Sequence, residues 1–498
     1  MQYYSTRGDK LKITAAEAII RGLAPDGGLF VPAESYISLD IEELPAHDYP
    51  ELAGIVFKPF LSGYNETEIT HALRKAYCSG TFDHPLVTPL HMLAKNLYIL
   101  ELWHGPTSAF KDIALQILPH LLRTALDNIG FKDELVILTA TSGDTGKSAL
   151  EGFRDIPGIR VVVYYPENGV SEIQKLQMVT QEGNNLSVAA VKGNFDDTQR
   201  GVKELFSDNS LGSHLAAHGF QLTSANSINW GRLLPQVVYY FQAYLSLVSK
   251  NQIQAGDSVN FVVPTGNFGN ILAGYYARRL GLPVNKLICA SNQNNILSDF
   301  IQTGRYDSNR RLSLTISPSM DILISSNLER LLFELNNHDS EIINFWMNQL
   351  REKGFYTVDK QTHELLGHLF YAGYADDEKT LATINSVYRN YNYLIDTHTA
   401  VGKAVLDYYT SNTGDNRPSI ILSTASPFKF AGSVMNAING PGSVKQKSEL
   451  EILNELVELT GTNAPDNLNT LNKKEVKYKQ VIARTALRDH LLSILALN

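Results

Sequence analysis

Val259-Asn260-Phe261-Val262-Val263-Pro264-Thr265-Gly266-Asn267-Phe268-Gly269-Asn270 joins an apolar run to a turn with two glycines, and the turn leads into the apolar-periodic segment Ile271–Leu280. A short, nearly continuous apolar run reads as a strand buried on both faces, and the segment after the turn reads as a helix. The same pattern recurs on either side. Leu97–Leu102, Leu135–Ala140, Ile159–Tyr165, Ser187–Val191, Lys286–Ala290 and Ser419–Ser423 are short apolar runs, most of them followed by a turn and a helical segment. This alternation predicts an α/β fold, mainly parallel in its sheet and flanked by helices. Ligands of such sheets sit beyond the carboxyl ends of the strands, so chemistry is expected in the loops that follow these runs.

In the opening stretch, Gly266 and Gly269 let the backbone approach a ligand, and the helix start offers N–H groups to an anion. The glycines are three apart, which is not the dinucleotide fingerprint. A phosphate cup and an ordinary strand-to-helix turn fit the stretch equally well. After Leu135–Ala140 comes Thr141-Ser142-Gly143-Asp144-Thr145-Gly146-Lys147-Ser148. Its Gly-Lys-Ser ending resembles a nucleotide-hydrolase phosphate loop, but Thr141 stands where that loop needs glycine. Its hydroxyls and N–H groups still suit an oxyanion.

Ser423-Thr424-Ala425-Ser426-Pro427-Phe428-Lys429-Phe430 places hydroxyls at another strand end, where they can donate to a heterocycle nitrogen or satisfy the turn itself. Asn226-Ser227-Ile228-Asn229-Trp230-Gly231-Arg232 precedes a helix predicted over Leu233–Val248. Hydroxyl, amides and guanidinium within one turn suit a phosphate dianion; a capped helix start with a solvated arginine is the plainer reading. Lys111, in Leu102-Trp103-His104-Gly105-Pro106-Thr107-Ser108-Ala109-Phe110-Lys111-Asp112, follows a strand and a Gly-Pro turn and precedes a helix expected to begin near Ile113. Lysines are usually solvated, but an apolar setting after Ala109-Phe110 would favour the free amine, a nucleophile toward carbonyls.

Composition limits the alternatives. The chain has 498 residues, 44% hydrophobic and 19% charged, as expected of an ordinary globular protein. A formal charge of -8 supplies no basic stripe, so a general nucleic-acid partner is not expected. Two cysteines cannot form a disulfide framework or a four-ligand zinc site. His214 and His218 have i, i+4 spacing, but Leu215 replaces the glutamate of the zinc-protease motif, so no metal is expected. The N-terminal residues lack a signal-peptide core, and Leu233–Val248 is interrupted by Pro235 and Gln236. A cytoplasmic protein without a membrane partner is the expectation.

A reactive lysine, an anion cup, a strand-end hydroxyl and a second anion site together point to pyridoxal 5'-phosphate as cofactor. His-Gly-Pro-Thr-Ser-Ala-Phe-Lys-Asp, Thr-Ala-Thr-Ser-Gly-Asp-Thr-Gly, Ser-Ala-Asn-Ser-Ile-Asn, Gly-Asn-Phe-Gly-Asn and Gly-Leu-Ala-Pro-Asp-Gly-Gly-Leu-Phe-Val-Pro closely resemble the threonine synthase family. The resemblance runs in order to about Gly440. It implies the fold-type II architecture of the tryptophan synthase β-like enzymes, with an N-terminal domain over residues 1–90, a catalytic region of two α/β lobes over 91–440 and a C-terminal extension over 441–498.

The resemblance also implies conversion of O-phospho-L-homoserine and water to L-threonine and phosphate by a monomer or homodimer. Lys111 matches the Schiff-base lysine; Gly266, Asn267, Phe268, Gly269 and Asn270 match the cofactor-phosphate loop; and Thr424 matches the residue facing the pyridine nitrogen. Ser142, Asp144 and Thr145 match the loop at the substrate's amino-acid portion or the cofactor face. Ser227, Asn229 and Arg232 match the substrate-phosphate site. The family's Ala-His-Pro-Ala-Lys-Phe stands here as Ala-Ser-Pro-Phe-Lys-Phe, so any role for a histidine at Ser426 is absent. Another type II lyase or dehydratase, or a catalytically silent relative, is the alternative reading.

Overall fold

The computed structural model describes residues 1–33 and 37–497, and each apolar run read above is a strand in it. The strands divide between two sheets. The larger runs Phe370–Tyr374, Val284–Ser291, Val259–Pro264, Ser419–Ser423, Leu97–Glu101, Leu90–Ala94. All of its pairs are parallel except the last, where Leu90–Ala94 folds back on its neighbour as a hairpin. The smaller runs Val481–Ile482, Leu186–Val191, Ile159–Pro166, Glu134–Ala140, Phe220–Thr223, all parallel. Helices cover both, as crossover connections between parallel strands require.

The N-terminal segment is built onto this frame. Thr14 and Glu17 form a capping box that starts the helix Ala15–Arg21. Strands Tyr3–Ser5 and Phe30–Pro32 pair antiparallel around the Gly-rich turn. Trp230 anchors the unit: its ring meets Tyr3 at 5.4 Å, Phe60 at 5.6 Å and Tyr276 at 5.3 Å. Edge-to-face contacts of this kind add to the area buried.

The helix expected over Leu233–Val248 runs from Pro235 to Ser249, and the one-turn helix Trp230–Leu233 precedes it. Pro235 has no N–H to bond back, so it starts a new helix. Pro235–Ser249 is buried almost all round, a central pillar between layers. Among the described residues, no helix is long and apolar enough to cross a membrane. Beyond residue 440, helix Glu449–Thr460 packs on the helix Glu172–Val179, strand Val481–Ile482 extends the smaller sheet, and Leu487 and Leu491 are buried.

Candidate active site

Strands Leu97–Glu101, Ser419–Ser423 and Val259–Pro264 are adjacent and parallel, so their carboxyl ends lie together. The loops that follow the first two are zipped. Leu102 N donates to Ser423 O at 3.0 Å, Phe110 N to Thr424 O at 2.9 Å and Ser426 N to Ser108 O at 3.1 Å, with an antiparallel bridge between Ala109 and Ala425. Lys111 and Thr424 are therefore held in one unit. Ser108 lies in the left-handed region at φ 56°, and its Oγ donates to Asn467 Oδ1 at 2.7 Å. Asn467 Nδ2 in turn donates to Gly105 O at 3.2 Å. A non-glycine residue in that region costs about 1 kcal/mol, and these bonds hold it there.

Lys111 itself opens the helix Lys111–Leu115, two residues before the expected start. Its side chain is 14% exposed, and Nζ lies 3.4 Å from Asp144 Oδ2. Burial pulls the Lys111 pKa down; Asp144 opposes this, and the charges of Lys429 and Arg232 add to it. The balance shifts the amine toward its free, nucleophilic form.

Asp144 begins the helix Asp144–Gly152. Its Oδ1 lies 2.7 Å from Lys429 Nζ and accepts from Gln174 Nε2 at 2.9 Å. Burial works against ionisation, yet Lys429 and Lys111 hold this carboxyl well below the usual carboxylate range. Lys429 is fully buried and also donates to Thr107 O at 3.0 Å. Its position in the Thr424 loop was legible; its pairing with Asp144, far off in the chain, was not. Ser142 is exposed and Thr145 half-buried. Gly143 has φ 143°, and a Cβ there would meet the Gln174 carboxamide at 2.5 Å.

The glycine loop is shaped from behind. A Cβ on Gly266 would come 2.6 Å from Ser319 O, and Ser325 Oγ donates to Gly266 O at 2.8 Å. Phe268 is left-handed at φ 62°, buried, with its ring 5.8 Å from that of Phe370. Helix Gly269–Arg279 starts here. Asn270 Oδ1 accepts from Tyr239 Oη at 2.5 Å and Tyr240 Oη at 3.1 Å, while its Nδ2 is buried without a partner. Asn267 is exposed, and its carbonyl accepts from Asn327. His398, buried and bonded through Nδ1 to Asp396 at 2.9 Å, accepts from Ser319 N at 3.3 Å and so braces the residue behind Gly266. No spacing in the sequence signals this brace.

In the fourth segment the side chains separate. Arg232 is buried; Nη1 donates to Ala225 O at 2.6 Å and Nε has no partner. Burial pulls its pKa down to about 10, with Asp112 acting against the fall. The solvated-arginine reading is therefore corrected. Asn229 is engaged at both ends of its carboxamide, Nδ2 to Ile19 O at 2.8 Å and Oδ1 from Gly231 N at 2.9 Å. It caps a helix and fastens the N-terminal unit. Ser227 is half-buried and accepts through its carbonyl from Asn327 Nδ2 at 3.2 Å.

Other motifs fall away. Lys147 is buried against Glu151, 3.0 Å distant, and Gln181, so it faces no phosphate. His218 Nδ1 bonds the carbonyl of His214 at 2.8 Å, and no metal-holding cluster occurs among the described residues.

The donors fit pyridoxal phosphate: an amine of lowered pKa, a loop closed to a side chain at Gly266, an unpartnered buried amide at a helix start and a buried hydroxyl residue at Thr424. A buried lysine and a glycine loop, each following a strand of one parallel sheet, are features of the pyridoxal-phosphate-dependent class. The family described as pyridoxal-phosphate dependent enzyme matches residues 81–423, threonine synthase N terminus matches 2–77 and threonine synthase, C-terminal, matches 399–489. The chain belongs to the threonine synthase family.

Among relatives, it is 41% identical to threonine synthase of Pseudomonas aeruginosa over 88% of this chain and 90% of that protein. It is 42% identical to human threonine synthase-like 1 over 85% of this chain but only 58% of the human protein's length. A crystal structure of PLP-bound threonine synthase from Brucella melitensis superposes with a TM-score of 0.87 at 36% identity, covering 99% of each chain.

Proposed function

We propose that the chain converts O-phospho-L-homoserine and water to L-threonine and phosphate, with pyridoxal 5'-phosphate carried on Lys111. Gly266, Asn267, Phe268, Gly269 and Asn270 would hold the cofactor phosphate, and Thr424 would face its ring nitrogen. When bound, the cofactor supplies an electron sink for charge developed on the substrate carbons next to the amine.

The remaining work falls to side chains. The Lys111 amine takes the α-proton and returns protons later, which one group can do when its pKa lies near the working pH. Ser142, Asp144 and Thr145 lie at the amino-acid end of the substrate or at the cofactor face. Ser227 and Arg232 receive its phosphate, with Asn229 positioning their helix; donors aimed at a departing anion in a dry site stabilise it strongly. Overall Cβ loses a proton and the Cγ–O bond to phosphate breaks, phosphate leaving with the electron pair; the hydroxyl of water goes to Cβ, and of the two protons released by Cβ and water one goes to Cγ and one to phosphate.

The observation that carries this reading is Arg232: a buried guanidinium whose Nε lacks a partner, on the helix Trp230–Leu233 that packs against the Lys111 helix. A buried cation without its full set of acceptors suits an anionic substrate. Incubation with O-phospho-L-homoserine, following phosphate and threonine together, tests it. Equal release of the two is expected; phosphate with 2-oxobutyrate would mark a phospholyase instead, and neither product a silent relative.

A further inference from the structure

Two lysines share one carboxylate at the centre of this site. Asp144 offers Oδ2 to Lys111 at 3.4 Å and Oδ1 to Lys429 at 2.7 Å. Asp144 and Lys429 have side-chain exposures of 4% and 0%, so water screens neither. The charged groups around Lys111 come from three elements: Asp144 from its own helix start, Lys429 from the turn Pro427–Phe430, and Arg232 from the helix Trp230–Leu233. Asp112, buried on the Lys111 helix, faces Lys429 and Arg232 and is itself bonded by Thr107.

A lone carboxylate at this distance would hold Lys111 as an ammonium, which is the wrong state for taking a proton. An ammonium on the other carboxylate oxygen cancels most of that pull. A lysine needed only to brace the Thr107 carbonyl would require no counter-charge, yet Lys429 makes its shorter contact to Asp144.

We propose that Lys429 is a positioning residue that neutralises Asp144 and so keeps the Lys111 nitrogen able to lose its proton near neutral pH. This rests on the reading of Lys111 as the cofactor lysine. Lys429 need touch neither substrate nor cofactor for this; it acts through Asp144.

The test is a pH titration of the visible absorbance of the holoenzyme, whose band reports whether the Lys111 nitrogen carries a proton. K429M is expected to raise the midpoint by about one unit or more, and K429R to keep it closer to wild type. D144N should lower the midpoint, and D144N/K429M should return it toward wild type. The acid limb of kcat/KM should move with the absorbance midpoint in each variant. If K429M does not fold, the pair D144N and D144N/K429M carries the comparison, the second lying at least about one unit above the first.

An unchanged midpoint in K429M, or coincident midpoints in the D144N pair, would overturn the proposal and leave Lys429 a brace. Borohydride reduction of wild-type holoenzyme followed by peptide mapping separates the two readings. Cofactor fixed elsewhere than Lys111 refutes the underlying assignment, whereas cofactor on Lys111 without a midpoint shift refutes only the role of Lys429.

Discussion

Lys111 and Arg232 are both buried cations, but their settings assign them different work. Lys111 sits beside a carboxylate with its pKa lowered, so Lys111→Ala should abolish the visible absorbance of the bound cofactor and cut turnover by roughly 10²–10⁴-fold or more. Absorbance spectra and phosphate release check both. Arg232 has no carboxylate in ion-pair contact among the described residues. Arg232→Ala should therefore weaken O-phospho-L-homoserine by roughly 10- to 100-fold, as loss of a charge-assisted bond implies, while a phosphate-free analogue loses much less. Equal losses in competitive inhibition would remove Arg232 from the phosphate site.

His104 gives a pH prediction. Burial lowers its pKa, but the hydrogen bonds its ring donates to the Asp83 carboxylate at 2.5 Å and the Glu101 carboxylate at 2.8 Å outweigh this and push it up to about 9. A folded pKa above the unfolded one means the stabilisation is complete below about pH 6.5 and is lost as pH rises through about 9. Wild type should thus lose thermal stability over that window relative to His104→Gln, which should show no such step. Much at this scale was legible. Thr424 and the glycines announce themselves because they sit where an apolar run stops, and Lys111 because it closes the loop after one. Lys429 and His398 were hidden because their value lies in partners, Asp144 and Ser319, that spacing cannot supply.

At the level of elements, the glycine loop makes the firmest prediction. Gly266→Ala would push a methyl group to 2.6 Å from Ser319 O, a backbone atom that cannot swing aside. The loop must shift, and cofactor affinity should fall at least 10-fold in equilibrium dialysis while the protein stays folded by circular dichroism. Strand reading succeeded for interior strands and failed at the edges. Leu90–Ala94, Phe220–Thr223, Phe370–Tyr374 and Val481–Ile482 end their sheets and were not foreseen. An edge strand is covered on fewer sides and tolerates His91, Met92 and Gln221 at exposed positions, which breaks the apolar run. Proline set the start of the expected helix, which begins at Pro235 rather than at Leu233.

For the whole molecule, residues after 440 are part of the frame. Val481–Ile482 covers one edge of the smaller sheet, and Leu487 and Leu491 fill a core beneath it. Removing every residue from 479 onward should lower the melting temperature and promote association, because it bares the edge Leu186–Val191 and takes away buried leucines worth about 2 kcal/mol each. Light scattering and a thermal melt would show both. A mainly parallel sheet followed from the alternation of strand and helix, and its division between two lobes from the family resemblance; the way the chain closes on itself did not, since it depends on contacts such as Asn467 to Ser108.

Ser419–Ser423 lies between Leu97–Glu101 and Val259–Pro264, so the larger sheet has a gap at its middle until this late strand is made. A ribosome must therefore deliver more than four-fifths of the chain before Lys111 can meet Thr424 or its loop can close on Ala425. Cofactor uptake should accordingly be among the last events in biogenesis, and coloured nascent chains should appear only once residues near 430 have left the exit tunnel.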